Sequence, residues 1–365
     1  MTTERIETLI IGGGQAGLST GYHLKQRGRT SVIIDALGRL GDNWRRHYDS
    51  LQLYSPAKLN GLPGTAFPGP AMSLPTKDEV ADYLESYAAE HGLEVRTGVR
   101  ATRVQPERDA FHVETSNGTI QADNVVVASG TFGKPFVPAF ADGLDASIVQ
   151  LHSSEYKNPG QLQDGAVLVV GAAHSGADIA VELASTRPTI LSGRRTGDLP
   201  FHLDGALVKF ARPLLRFAVT KVVSTRTPVG RKAKGEIRSH GGPLIDPRTK
   251  DVEAAGVEWV EVRTEGVREG KPVLADGRVL DVTNVVWCTG FRHDFSWIDA
   301  DIVGDDGWPV EDRGVVESLP GLYFMGLAFQ SAFSSMLLLG VGDDADHVAS
   351  HISSRMVKRA ASLVA

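Results

Sequence analysis

Residues 12–17, Gly12-Gly13-Gly14-Gln15-Ala16-Gly17, and residues 171–176, Gly171-Ala172-Ala173-His174-Ser175-Gly176, are the two places where this sequence is equipped to hold a phosphate. Each turn lies between a short apolar run and a helical stretch, the context in which backbone N–H groups are aimed at the pyrophosphate of a dinucleotide. In the first, Gly12 permits the tight turn, Gly14 lets the pyrophosphate approach the backbone, and Gly17 lets helix and strand pack closely. Gln15 and Ala16 open the helix there. In the second, Gly171 and Gly176 keep the outer places, His174 and Ser175 open the helix, and Ala173 takes the middle place, where its methyl group crowds the phosphate.

The residues downstream of each turn set the two apart. Asp35 stands 23 positions after Gly12, at the end of a second apolar run, where a carboxylate accepts hydrogen bonds from ribose hydroxyls. Arg194 stands 23 positions after Gly171, with Arg195 beside it. Arginine pairs with a 2′-phosphate that an acid would repel, so the second site reads as one for NADPH rather than NADH. The plainer alternative is that the two arginines solvate a strand end. His174 either touches the coenzyme or caps its helix.

The elements that must position these turns are short strands at 8–11, 31–34, 166–170 and 189–192. Helices follow each turn, to about residue 27 and residue 184. Two more apolar runs, ending in Ala128-Ser129-Gly130 and in Cys288-Thr289-Gly290, return the chain to the nucleotide folds. Asn117-Gly118 and Asp276-Gly277 are hairpin signals and predict small β-meanders.

A length of 365 residues suggests two domains, and 42% apolar with 22% charged residues is the balance of a folded protein. A net charge of −6 argues against a nucleic-acid partner. Cys288, the single cysteine, excludes intramolecular disulfides and C-x-x-C pairs, which predicts a reducing, cytoplasmic setting. In its strand it reads as a small apolar filler. The N-terminus lacks a signal-peptide pattern, and no run is long enough to span a membrane. Residues 206–234 carry eight Lys and Arg and no acid. They read as a helical insertion packing on the protein, with peripheral contact to an anionic surface as the alternative. A homodimer is one assembly this composition allows.

With these residues in view, the sequence resembles the class B flavin-dependent monooxygenases, particularly small bacterial flavin-containing monooxygenases and the plant YUCCA type. Gly41-Asp42-Asn43-Trp44-Arg45 is similar to the family's flavin-side G-G-x-W segment. Ala128-Ser129-Gly130 with Pro135 and Pro138 is similar to its A-T-G-x-x-x-x-P linker, Cys288-Thr289-Gly290-Phe291 to its later A-T-G-[FY], and Gly321–Gly326 to its closing strand. His152 and Tyr156 keep the spacing of the second half of the F-x-G-x-x-x-H-x-x-x-Y signature, while Ala146 and Ile148 replace its first half.

The resemblance implies an α/β fold of two Rossmann-like domains, with the NADPH domain (156–285) inserted into an FAD domain (1–155 and 286–365). The cofactors implied are FAD and NADPH. It further implies insertion of one oxygen atom of O2 into a small sulfur-, nitrogen- or carbonyl-containing substrate through a C4a-(hydro)peroxyflavin. The alternatives are an NADPH-dependent flavin reductase or oxidase and, without catalysis, a flavin redox sensor. FAD contacts are implied for Gly12, Gly14, Gln15, Ala16, Gly17, Asp35, Asn43, Trp44, Val99, Ala128, Gly130, Gly326 and Gly342. NADP contacts are implied for Gly171, Ala173, His174, Ser175, Gly176, Arg194, Arg195, Thr289 and Gly290. Ser55 stands where the family has an Asn that holds NADP and the oxygenated flavin. A C-terminal helix is expected from about Asp344, after Gly342-Asp343, with its N–H groups toward the flavin. Trp44, Phe329, Gln330 and Phe333 read either as cofactor or substrate contacts or as ordinary packing.

Overall fold

A computed structural model describes residues 4–198, 222–240 and 243–364. Strands β1 (Glu4–Ile11), β2 (Ser31–Asp35), β3 (Val95–Thr97), β4 (Ala101–Pro106), β5 (Phe111–Thr115) and β6 (Gly118–Val127) form a sheet in the order β3-β2-β1-β6-β5-β4. β16 (Leu322–Phe324), from the far end of the chain, joins it beside β6. β6 runs parallel to β1, pairs antiparallel with β5 along Gly118–Ala122, and takes β16 along Val125–Val127. One long strand therefore belongs both to the nucleotide fold and to the meander.

The second sheet is β11-β10-β9-β14-β8, all parallel, built from β8 (Val149–His152), β9 (Val167–Val170), β10 (Thr189–Ser192), β11 (Glu258–Val260) and β14 (Asn284–Trp287). The Val-rich runs of β9 and β14 are buried along their whole length, as strands covered on both faces must be. This sheet extends beyond both expected domain boundaries. β8 lies before residue 156 and β14 runs past 285. Two antiparallel ribbons complete the pairing. β12 (Thr264–Arg268) with β13 (Lys271–Leu274) is the second meander, and β7 (Lys134–Pro135) with β15 (Phe291–Arg292) ties the two linkers together.

Helices α1 (Gln15–Gln26) and α4 (His174–Ala184) follow the two glycine turns. α2 (Asp42–Arg45) and α3 (Lys77–Glu90) belong to the first unit, and the capping box between Thr76 and Glu79 fixes where α3 starts. α5 (Pro228–His240) and α6 (Thr249–Ala254) belong to the stretch before β11.

The C-terminal helix α7 spans Leu338–Val364, so it begins six residues before the expected start. Leu338, Val341, Ala345, Val348, Ala349 and Ile352 are buried at helical spacing, and this stripe decides the start over the signal of Gly342-Asp343. Of the basic stretch 206–234, residues through 221 lie outside the described residues. In the remainder, Lys234 and, just beyond it, Arg238 turn inward toward Glu311, at 3.8 and 3.7 Å.

Candidate coenzyme and active site

The outer glycines of the first turn are packing positions. A Cβ on Gly12, whose φ is +118°, would lie 2.3 Å from the Ala128 carbonyl oxygen, and one on Gly17 would lie 1.9 Å from the Gly12 oxygen. The middle glycine differs. Around Gly14 the nearest atom to an added Cβ is Asn43 Nδ2 at 3.9 Å, so the backbone there faces open space. Asp35 is anchored, accepting from the Gly13 amide at 2.7 Å and the Leu37 amide at 2.8 Å, which leaves its outward lone pairs for hydroxyl donors. Val99 donates its N–H to the Asp35 carbonyl at 2.8 Å, and Ala128 donates to the Ile11 carbonyl at 2.8 Å, closing the walls of the turn.

The second turn repeats the first. A Cβ on Gly171, at φ +105°, would lie 2.3 Å from the Cys288 carbonyl oxygen, and one on Gly176 would lie 1.8 Å from the Gly171 oxygen. Ala173 takes the middle place as the extended residue before α4, and Ser175 is exposed. The His174 imidazole meets the Pro243 carbonyl, and burial pushes its pKa down to about 4. Its Nε2 is buried without a partner among the described residues. A neutral ring with an unpaired nitrogen fits a hydrogen-bonding group of a bound coenzyme better than it fits a counter-charge for phosphate.

The two arginines divide. Arg195 is held between Glu253 at 2.8 Å and Glu261 at 2.9 Å, with its guanidinium 4.9 Å from the centre of the Trp259 ring. Arg194 is exposed, and no ion pair to it occurs among the described residues. Arg195 therefore braces the strand end, while the Arg194 side chain faces solvent.

On the flavin side, Gly41, at φ +80°, sits so close to Ala81 that a Cβ would meet its carbonyl oxygen at 2.6 Å, and this contact sets α2 with Asn43 and Trp44 beside the first turn. Trp44 Nε1 is buried without a partner among the described residues. Gln15 reaches across to the Met336 carbonyl at 3.3 Å, and a Cβ on Gly326 would touch Ala16, so β16 closes on the start of α1. Gly130 and Gly290 both have left-handed φ and open space around them.

The remaining residues singled out by the sequence have the following surroundings. Gly342 lies inside α7, against Pro63, rather than at a helix start. The amides that open the helix belong to Leu338 and Leu339. A cleft of about 750 Å³ opens beside Gly342, between Lys58, Pro63, Arg313 and Asp343. The Ser55 hydroxyl donates to Asn60 Oδ1 at 2.7 Å, and Thr289 donates to the Phe136 carbonyl. Phe329 is fully buried, and the Gln330 amide is spent on Leu327 and Phe324, so both shape the turn after β16. His152 holds the Gly290 carbonyl at 3.0 Å and the Ser154 hydroxyl at 2.8 Å, which orders the linker.

Tyr48, Tyr54 and Asp178 had no sequence signal, and Tyr156 had one only through its spacing from His152. Tyr48 and Tyr54 each donate to Asp178 Oδ2 at 2.6 Å, and Tyr156 donates to Glu182 Oε2 at 2.6 Å. Burial and the nearby carboxylates raise all three phenol pKa values, so these hydroxyls keep their protons and donate. Desolvation pushes the Asp178 carboxyl up to about 6.

A family model described as pyridine nucleotide-disulphide oxidoreductase matches residues 9–197. An uncharacterized oxidoreductase, CzcO-like, from Geobacillus kaustophilus is 40% identical, covering 95% of this chain and 98% of the relative. A flavin-containing monooxygenase from Stenotrophomonas maltophilia superposes with a TM-score of 0.75 at 26% identity, covering 97% of this chain and all of that one. The chain belongs to the pyridine nucleotide-disulphide oxidoreductase family, in its class B flavin-dependent monooxygenase branch. A probable indole-3-pyruvate monooxygenase, YUCCA3, from Arabidopsis thaliana is 28% identical over 95% of this flavoprotein and 86% of its own length. The cofactors of this monooxygenase are FAD and NADPH. Both have a place to fit, since each glycine turn is walled by backbone, and Trp44 Nε1 on α2 and His174 Nε2 in the second turn are buried without partners among the described residues. With Cys288 alone, the flavoprotein has no thiol pair for a disulfide relay. Among the described residues no cluster of His, Cys, Asp and Glu suits a metal, and no helix is long and apolar enough to cross a membrane.

Proposed function

We propose that this flavoprotein consumes NADPH and O2 and inserts one oxygen atom into a small nucleophilic substrate at sulfur or nitrogen, or into a carbonyl compound. The observation that carries the reading is the doubled cradle, in which the same glycine packing leads to an acid at residue 35 and to an arginine at residue 194. A flavin bound in the first cradle supplies the oxygen chemistry once NADPH has reduced it. This chain's residues hold and orient. The 12–17 turn and Asp35 take the pyrophosphate and ribose of FAD, while Asn43, Trp44, Val99, Ala128, Gly130 and Gly326 line its path. The 171–176 turn, Arg194 and His174 hold NADPH, and the β7–β15 ribbon keeps Gly130 and Gly290 facing the space between the units. On this reading the coenzyme unit runs from Val149 through Trp287.

The test is isotopic. With 18O2, NADPH and an aryl alkyl thioether, a tertiary amine or a cyclic ketone, at least one substrate should yield a product carrying one labelled oxygen per NADPH consumed. Stoichiometric hydrogen peroxide with no labelled product from any of the three would overturn the proposal. One observation favours a second reading, that of an NADPH oxidase. Ser55 gives its hydroxyl hydrogen to Asn60, so it has none left to donate to an oxygenated cofactor.

A further inference from the structure

A single carboxylate oxygen of the coenzyme unit holds two hydroxyls of the flavin unit. Asp178 lies on α4 just beyond the 171–176 turn, and its Oδ2 accepts from both Tyr48 and Tyr54 at 2.6 Å. Tyr48 is 3% exposed and packs in the same core as Ala177, Ile179 and Ala180 of α4. The Tyr54 ring lies 5.1 Å from that of His174, and the next residue is Ser55. The stretch between is fastened as well. The Asp49 amide donates to the Lys157 carbonyl at 2.8 Å, Asn158 donates to the Asp49 carboxylate at 2.8 Å, and Lys157 donates to the Arg46 carbonyl. Glu182, one turn after Asp178 on α4, fixes Tyr156 of the linker in the same manner.

Residues 46–55 thus pair with their own unit at Gln52–Thr76 and Leu53–Pro75, and are fastened to α4 through Tyr48 and Tyr54. Hydrogen bonds from a neutral hydroxyl to a carboxylate are the strong kind, and two on one oxygen fix both distance and direction. The N-terminus of α4 is also the part of the second unit that meets the coenzyme phosphates. We infer that Asp178 is a positioning residue that clamps residues 46–55, and Ser55 with them, to the coenzyme helix, so that filling the second cradle orders the flavin-side segment. Asp178 touches neither substrate nor cofactor in this role; it acts through Tyr48 and Tyr54. The inference rests on the reading of the second cradle as the NADPH site.

The test is hydrogen–deuterium exchange of the FAD-loaded protein with and without NADP⁺. In the wild type NADP⁺ should slow exchange in residues 171–178 and in residues 46–55 together. In Asp178→Asn the slowing at 171–178 should persist, while that at 46–55 should fall by roughly tenfold, the scale of one charge-assisted hydrogen bond. Tyr54→Phe, which deletes one donor without changing charge, should lie between the two and keeps the test readable if the Asn variant folds poorly. Full NADP⁺-dependent protection of 46–55 in both variants would overturn the clamp and leave Asp178 a merely structural group. If NADP⁺ slows exchange in neither segment of the wild type, the coenzyme reading itself fails and the clamp goes with it.

Discussion

Gly12 and Gly171 occupy the same backbone slot in two different units. Each has a φ above +100°, and each is seated so that a methyl group would lie 2.3 Å from the carbonyl oxygen of the residue after a returning strand, Ala128 in one case and Cys288 in the other. The carbonyl, rather than any side chain, is what demands glycine. This separates the glycines that build the turn from Gly14, whose backbone faces open space.

Gly12→Ala should destabilise the protein by about 3 kcal/mol or more, through the backbone clash and the left-handed φ. Gly14→Ala should change apoprotein stability by less than about 1 kcal/mol, since only Asn43 lies near its Cβ, and should instead weaken flavin retention. Thermal melts of the apoprotein beside flavin content of the purified protein distinguish the two. Equal stability losses would contradict the division.

The arginines should also separate. Arg194→Gln is expected to raise KM for NADPH by about tenfold and leave that for NADH within about twofold, because only NADPH presents the 2′-phosphate. Arg195→Gln should raise KM for NADPH by less than about threefold, since Glu253 and Glu261 already occupy its guanidinium. Steady-state kinetics with both coenzymes checks this.

A pH dependence arises from His174, whose pKa burial lowers to about 4. Between its ordinary value of about 6.5 and about 4 the unfolded chain binds a proton that the folded one does not. Its contribution to stability is therefore fully present above about pH 6.5 and is lost as pH falls toward about 4, by about 1–3 kcal/mol in all. Urea unfolding of His174→Gln should show a shallower loss across that window than the wild type.

Much of this molecule is legible in its sequence because glycine turns and Val-rich strands are local signals. The residue pairs Gly12 with Asp35 and Gly171 with Arg194 locate both cradles without any structure. The hidden part depends on contacts between distant segments. Asp178 looks like one more polar residue on a helix until Tyr48 and Tyr54, more than a hundred positions away, are placed on it. Arg195 looks equivalent to Arg194 until Glu253, Trp259 and Glu261 fold against it. The start of α7 is obscured because Gly342-Asp343 resembles a helix start, while the buried stripe from Leu338 onward prevails in the fold.

Rapid mixing of the NADPH-reduced holoprotein with O2 reads whether the two cradles serve oxygen insertion. If they do, a transient absorbance distinct from both reduced and oxidised flavin should appear, longer-lived with NADP⁺ bound and discharged faster when an oxygen acceptor is added. Direct return to the oxidised spectrum in one phase, with one hydrogen peroxide per flavin and no effect of NADP⁺, would contradict it.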